Sequence, residues 1–264
     1  MGKGIARGEV DGFEPTVVSN WEAEPPMEEP SPRGKGITKD KDGNRIQAKT
    51  DGQLDLVDAI YNSQITFAGG PAGTGKTYLA IACAVDLLRR RKVSKIILSR
   101  PAVEAGTSMG FLPGDKDEKI QPYLRPFITS LNKICSPDEY KKYMDRGIIE
   151  IYPLAYMRGD TLDDAFVILD EAQNAGRDEI KMFLTRMGEN STYVITGDVE
   201  QVDRKVRYIT GLAEAMAIME GIEGISVVEL GIEDIVRHRL VREIIAAYRD
   251  RDDALAAEKE RLGR

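Results

Sequence analysis

The stretch Ile65-Thr66-Phe67-Ala68-Gly69-Gly70-Pro71-Ala72-Gly73-Thr74-Gly75-Lys76-Thr77 decides how the rest of the chain is read. Ile65–Ala68 is a short apolar run of strand length. Gly70 to Thr77 then fits the pattern G-x-x-x-x-G-K-[ST] without a mismatch. From Lys76 to Arg91 the residues are apolar nearly all round (Leu79, Ile81, Ala82, Val85, Leu87, Leu88), which predicts a helix buried against a sheet. Strand, glycine loop and helix in that order make an anion cradle. Glycines let successive N–H groups curl toward one point. The helix N-terminus adds partial positive charge. Gly70, Pro71, Ala72, Gly73, Thr74 and Gly75 are expected to wrap nucleotide phosphates, Lys76 to reach the terminal ones, and the Thr77 hydroxyl to ligate Mg²⁺.

Further apolar runs of strand length follow at Lys95–Ser99, Ile148–Tyr152, Phe166–Leu169, Thr192–Thr196 and Ile225–Leu230. Helical stretches at Asp178–Met187 and Leu212–Met219 separate some of them, and a short helix with Leu54, Val57 and Tyr61 precedes the first. Nearly continuous hydrophobic strands alternating with helices predict an α/β fold with a mainly parallel sheet flanked by helices on both faces, and Gly70–Thr77 makes it a P-loop NTPase fold.

Ala165-Phe166-Val167-Ile168-Leu169-Asp170-Glu171 is a strand that ends in two carboxylates. Strand C-termini face the ligand crevice in such sheets. Asp170 is expected to hold the Mg²⁺ shell and Glu171 to orient and deprotonate the attacking water. A guanine-reading N-K-x-D is lacking, since Asn132-Lys133-Ile134-Cys135 has no aspartate, so ATP is favoured over GTP. Thr192–Asp198 is another strand with a polar end, and Gln201 beyond it is a candidate for sensing the γ-phosphate or the catalytic water; Gln173 is a candidate to share that task. Gln53, upstream of the loop, is a candidate to read the adenine edge. Arg100, Arg158, Arg186 and Arg237 are candidates for the cation that faces the developing charge, and spacing does not choose among them.

Composition narrows the class. The 264 residues suffice for one α/β domain plus tails, and the net charge of −7 argues against a broad basic surface for duplex DNA. Two cysteines without a CxxC pair, and His238 as the single histidine, exclude zinc-ribbon and His-rich metal sites. No run reaches membrane-spanning length and the start lacks an apolar signal core, so a reducing cytoplasm is the expected setting, with no membrane partner.

Residues 1–50 read as a poorly ordered tail, with Glu and Pro from Asn20 to Pro32 and then a basic stretch from Arg33 to Lys49. That stretch is either a solvated linker or an arm that touches nucleic acid or a neighbouring subunit. The folded domain is expected over 51–250, and 251–264 as a charged C-terminal helix or tail. The insertion Arg100–Tyr143 lacks a clean strand. Its aromatics Phe111, Tyr123 and Phe127, near Lys116, Lys119 and Arg125, suit either single-strand stacking or a small local core.

Taken together these residues resemble the PhoH-like family of ATPases, from about Gln53 to Tyr248. The resemblance rests on Gly70–Thr77, Ser99-Arg100-Pro101-Ala102-Val103-Glu104-Ala105-Gly106, Lys119-Ile120-Gln121-Pro122-Tyr123-Leu124-Arg125-Pro126, Leu169-Asp170-Glu171-Ala172-Gln173-Asn174, Leu184-Thr185-Arg186 and Val236-Arg237-His238. There are departures: Asp160 stands where the family tends to have arginine, and Arg239 where proline is usual. The resemblance implies a RecA-like ATP-binding core similar to the first motor domain of superfamily 1 helicases, with links to RNA metabolism. The expected function is hydrolysis of ATP coupled to single-stranded RNA. The alternative is a nucleotide-gated oligomeric scaffold without unwinding; a small-molecule kinase is disfavoured because Glu171 would activate water. One motor domain leaves a side of the nucleotide open. A homo-oligomer, a ring of about six, is therefore expected by analogy, with Arg237 as first candidate to complete a neighbour's site.

Overall fold

The computed structural model describes residues 36–101, 116–159, 161–198, 211–241, 243–248 and 251. A two-stranded antiparallel hairpin, β1 (Thr38–Lys39) and β2 (Arg45–Ile46), leads into helix α1 (Asp51–Asn62). Then come β3 (Ile65–Gly69), α2 (Lys76–Arg89), β4 (Lys95–Arg100), α3 (Lys116–Ile134), α4 (Pro137–Asp145), β5 (Ile149–Pro153) and β6 (Ala165–Leu169). The chain continues through α5 (Arg177–Leu184), β7 (Thr192–Gly197), α6 (Gly211–Met219) and β8 (Ile225–Glu229). Strands β3 to β8 form one parallel sheet in the order β5-β4-β6-β7-β3-β8. All six strands read from the sequence are present, and all six point their C-terminal ends to the same edge.

Strand β6 explains why both faces must be covered. Its five residues are all buried and divide between two cores by pleat: Phe166 and Ile168 on one side, Ala165, Val167 and Leu169 on the other. The first core takes Leu56 and Ile60 of α1, the apolar surface of α2, and Phe127, Leu131 and Ile134 of α3. The second takes Ile180 and Phe183 of α5 and Leu212 and Met216 of α6. Tyr193 of β7 stacks obliquely on Phe183 with ring centroids 5.0 Å apart.

One expectation is corrected here. Residues 36–50, read as part of a tail, are structured. Ile37 and Ile46 are each 6 % exposed and join the first core. The hairpin turn is built by Asp40, whose Oδ1 accepts from the N–H groups of Asp42 (2.9 Å) and Asn44 (2.8 Å), with Gly43 at φ 85°. Arg89 then bolts the hairpin to the sheet layer. It donates to Thr38 Oγ1 (2.8 Å) and the Lys39 carbonyl (2.8 Å), and holds both Glu139 oxygens, at 2.9 and 2.7 Å. Residues 1–35 lie outside the described residues.

The insertion carries two helices. Of its three singled-out aromatics, Phe127 is fully buried and serves the core; Phe111 and the side chain of Tyr123 lie outside the described residues. Helix α4 starts at a Ser136 cap whose Oγ accepts from Glu139 N (3.3 Å), with Pro137 at the first helical position. Beyond β8 the chain is helical again at 239–241 and 243–248. Of the expected C-terminal stretch 251–264, Arg251 alone is described, and it is helical. Among the described residues no helix is long and apolar enough to cross a membrane.

Candidate functional site

The C-terminal edge of the sheet carries the loops after β3, β4, β6, β7 and β8, and a cavity of about 640 Å³ opens there. Its wall includes the phosphate loop, Arg100, Asp170, Glu171 and Asp198, together with Gln47 and Lys49, Ser130 and Lys133 of α3, and Arg237. That volume lies in the range of small-molecule sites.

The loop owes its shape to glycine. Gly70, Gly73 and Gly75 have φ of 138°, 96° and 85°, backbone that side chains with a Cβ rarely adopt. A side chain at Gly70 would also run into the Leu230 carbonyl. Two outside groups hold the loop carbonyls. Val236 N–H donates to Gly73 O (3.1 Å), and Gln53 Nε2 donates to Thr74 O (2.8 Å). Because C=O and N–H of one peptide unit point opposite ways, each bond also fixes the direction of the next N–H. Gln53 is thereby committed at both ends, since its Oε1 accepts from Lys49 N–H (2.8 Å). The amide that is a candidate for the adenine edge braces the phosphate loop in this structure.

Lys76 is 9 % exposed. Its ammonium folds back to donate to Gly70 O (2.6 Å), Pro71 O (2.9 Å) and Thr74 Oγ1 (3.2 Å). Burial pulls its pKa below the usual lysine value, and the carboxylates of Asp198, Asp170 and Glu171 only partly restore it.

Thr77 and Asp170, the expected metal pair, meet: Thr77 Oγ1 donates to Asp170 Oδ1 at 2.7 Å. Thr196 of β7 donates to the same oxygen at 2.6 Å. The other oxygen, Oδ2, is held by Arg100 of β4, through Nε (3.2 Å) and Nη2 (2.5 Å). Asp170 is nearly fully buried, so these four donors are what make its charge tolerable. Neither Thr196 nor the Arg100–Asp170 pairing was foreseen as such. The polar ends Ser99-Arg100 and Thr196-Gly197 of two strands that flank β6 were the available signal.

Glu171 takes the left-handed conformation, φ 54° and ψ 39°, and its side chain is 44 % exposed toward the cavity. Gln173 Nε2 donates to Glu171 Oε2 (2.6 Å), while Gln173 Oε1 accepts from Asp198 N–H (3.0 Å). Gly197 makes room for that amide, since a Cβ there would stand 2.8 Å from Gln173 Oε1. Gln173 is thus a physical bridge between the ends of β6 and β7. Gln201 lies outside the described residues.

Of the four candidate arginines, Arg100 and Arg237 line the cavity; Arg158 and Arg186 are not in its described wall. Arg237, expected to serve a neighbouring subunit, stands against its own chain's Gly73, where a Cβ would lie 2.9 Å from its Nε. The cause is the turn Ile232–Asp234. Asp234 accepts from Thr50 Oγ1 (2.5 Å) and Gly231 N–H (2.8 Å), which folds the segment after β8 back over the loop.

The comparisons with known proteins bear on the same residues. The family model "PhoH-like protein" matches residues 45–249. A PhoH-like protein of Bacillus subtilis (strain 168) is 55 % identical over 212 residues, 80 % of this chain and 66 % of its own length. Protein PhoH of Escherichia coli (strain K12) is 41 % identical over 216 residues, 81 % of this chain and 61 % of its own length. The chain thus spans slightly under two thirds of these relatives. Among solved structures, a large terminase from a thermophilic bacteriophage superposes with a TM-score of 0.47 at 11 % identity, over 75 % of this chain and 50 % of its own. The family match extends over most of the folded chain and includes every glycine of the phosphate loop, the Asp170-Glu171 pair and Arg237; the chain belongs to the PhoH-like family.

Proposed function

We propose that this chain binds ATP with Mg²⁺ and hydrolyses it to ADP and phosphate. The observation that carries the reading is the meeting, at one cavity mouth, of three elements. They are a glycine-curled loop with a buried lysine, the Thr77–Asp170 oxygen pair, and the cavity-facing carboxylate of Glu171. The oxygens of Thr77 and Asp170 suit Mg²⁺, a hard cation. Among the described residues no group of three His, Cys, Asp or Glu side chains forms a metal cage. That also suits an ion which takes one or two protein ligands and completes its shell with phosphate oxygens and water. When bound, the ion supplies positive charge against the phosphoryl oxygens.

The chain's own residues do the rest. Loop N–H groups and Lys76 bind phosphate oxygens, with Lys76 trading its loop carbonyls for them. Glu171 accepts the proton of the attacking water, and Gln173 holds that carboxylate in aim. The test is phosphate release from ATP and from GTP, with Mg²⁺ and with chelator. Magnesium-dependent turnover of ATP is expected. Equal release by the unmodified chain and by Lys76→Ala would remove the reading.

Coupling to single-stranded RNA belongs to the same proposal and is supported by the family resemblance. Stimulation of turnover by RNA tests it, and turnover indifferent to RNA favours the nucleotide-gated scaffold instead. Association of copies of the chain, in a ring of about six by analogy with one-domain motors, is supported by an exposed apolar stripe. Leu240, Ile244 and Tyr248 follow one another at helical spacing just after Arg237. Mass determination at assay concentration tests it, and a strict monomer with full activity would exclude it.

A further inference from the structure

Hydrolysis as set out above leaves Arg100 without a role, although it is the cation in closest contact with the proposed metal ligand. Its side chain is 16 % exposed and that of Asp170 4 %. The guanidinium grips Asp170 Oδ2 through two nitrogens and lies 3.6 Å from Glu171 Oε1. It rests over the Phe127 ring, 5.5 Å from the centroid. The remaining Asp170 oxygen is taken by the hydroxyls of Thr77 and Thr196. The carboxylate that should receive a metal ion is therefore fully engaged by donors of the chain itself. Lys76 is engaged likewise, on the carbonyls of its own loop. A guanidinium and a divalent cation compete for one carboxylate oxygen at contact distance, because like charges repel strongly in so poorly solvated a place.

We propose that Arg100 is an internal counter-ion that competes with the metal for the Asp170 carboxylate. Loading of the metal–nucleotide displaces it, and the released guanidinium becomes the chain's own arginine for the γ-phosphate. The inference rests on the ATPase reading. The backbone makes the second half follow from the first. Ser99 is paired with Leu169 in the sheet, and Asp170 N–H donates to Ser99 O at 2.9 Å. Arg100 is thus fixed beside Asp170 and Glu171 whichever way its side chain turns, so a guanidinium expelled from Asp170 stays at the end of the site where Glu171 directs water. Phe127, buried in α3, gives the flat group an apolar surface to slide on, with Glu171 as its nearest other anion. The arrangement supplies an arginine within one chain, whatever Arg237 does.

The competing account is a structural staple between β4 and β6. The two part on magnesium. Binding of a fluorescent ATP analogue is to be measured in the full chain while Mg²⁺ is titrated, for the unmodified protein, Arg100→Gln and Arg100→Lys, alongside turnover. A displaceable counter-ion predicts that Arg100→Gln reaches half-saturation at several-fold lower Mg²⁺. Its kcat should at the same time fall about 10²- to 10³-fold, the loss usual for one transition-state donor. Arg100→Lys should lie between in both readouts. A staple predicts an unchanged or raised magnesium requirement and a lower melting temperature, and that result overturns the proposal.

Should Arg100→Gln not fold, the Arg100 Nε–H resonance of the unmodified chain, assigned by its loss in Arg100→Lys, is followed while Mg·ADP is added. A shift away from the ion-paired position is expected, and no movement at saturation overturns the proposal. Absence of nucleotide binding by the unmodified chain would remove the ATPase reading and this inference with it, whereas binding with the same magnesium requirement in all three proteins removes this inference alone.

Discussion

The carboxylate of Glu171 is tied to the backbone of Asp198 through a single amide: Gln173 donates to the first at 2.6 Å and accepts from the second at 3.0 Å. The end of β7 and the proposed base after β6 therefore move together or not at all. Gln173→Ala should lower kcat for ATP about 10-fold, the worth of one misplaced hydrogen bond of about 1.4 kcal/mol, and leave KM nearly unchanged. Steady-state kinetics decide it; a rise in KM alone would mean that Gln173 serves binding.

Lys76→Ala and Glu171→Gln separate binding from chemistry. Loss of the buried ammonium should abolish detectable nucleotide binding. Glu171→Gln should keep binding and lose about 10²- to 10⁴-fold in turnover, since the amide orients water but takes no proton. Equilibrium binding and single-turnover hydrolysis on both variants check it.

Gln53 distinguishes a brace from a reader of bases. Removing its bond to Thr74 O frees a peptide unit of the phosphate loop. Gln53→Ala should therefore weaken ATP about 10-fold, one hydrogen bond of ordinary strength, with the preference for ATP over GTP unaltered. Competition between the two nucleotides is the measurement, and loss of the preference would return Gln53 to the adenine edge.

The Arg89–Glu139 fork predicts the acid branch of stability. Burial raises the Glu139 pKa, but the two bonds and the charge of Arg89, helped by Tyr143 and Ser136, outweigh it and leave the pKa below the usual carboxylate value of 4.5. A carboxylate with a depressed folded pKa contributes stability that is whole above its unfolded value and is lost as pH falls through the folded one. Glu139→Gln should thus cost about 1–3 kcal/mol at neutral pH and flatten the fall of melting temperature as the pH drops below that usual value. Thermal melts of both proteins across that range check it.

The sheet and its phosphate loop were legible because their signals are local. Six strands read as apolar runs, and Gly70 to Thr77 matches one pattern in one context. What escaped depends on partners remote in sequence. The hairpin around Asp40 had a turn signal in Asp42-Gly43, but its strands are two residues long, and what anchors them, Arg89, belongs to another element. Helix α3 carries Phe127, Leu131 and Ile134 at buried helical spacing, hidden by the prolines Pro122 and Pro126 just before them. Gln53 and Arg237 were singled out for the nucleotide site, but the groups they meet were not readable, because periodicity does not say which way an amide or a folded-back loop will face.

Glu171 sits in left-handed backbone, a conformation that costs a residue with a Cβ about 1–2 kcal/mol and glycine almost nothing. Endurance and turnover are therefore opposed at one position. Glu171→Gly should melt at higher temperature than the native chain while hydrolysing nothing. A library of variants screened for heat resistance alone would drift toward losing the base, and one screened for activity would keep the strain.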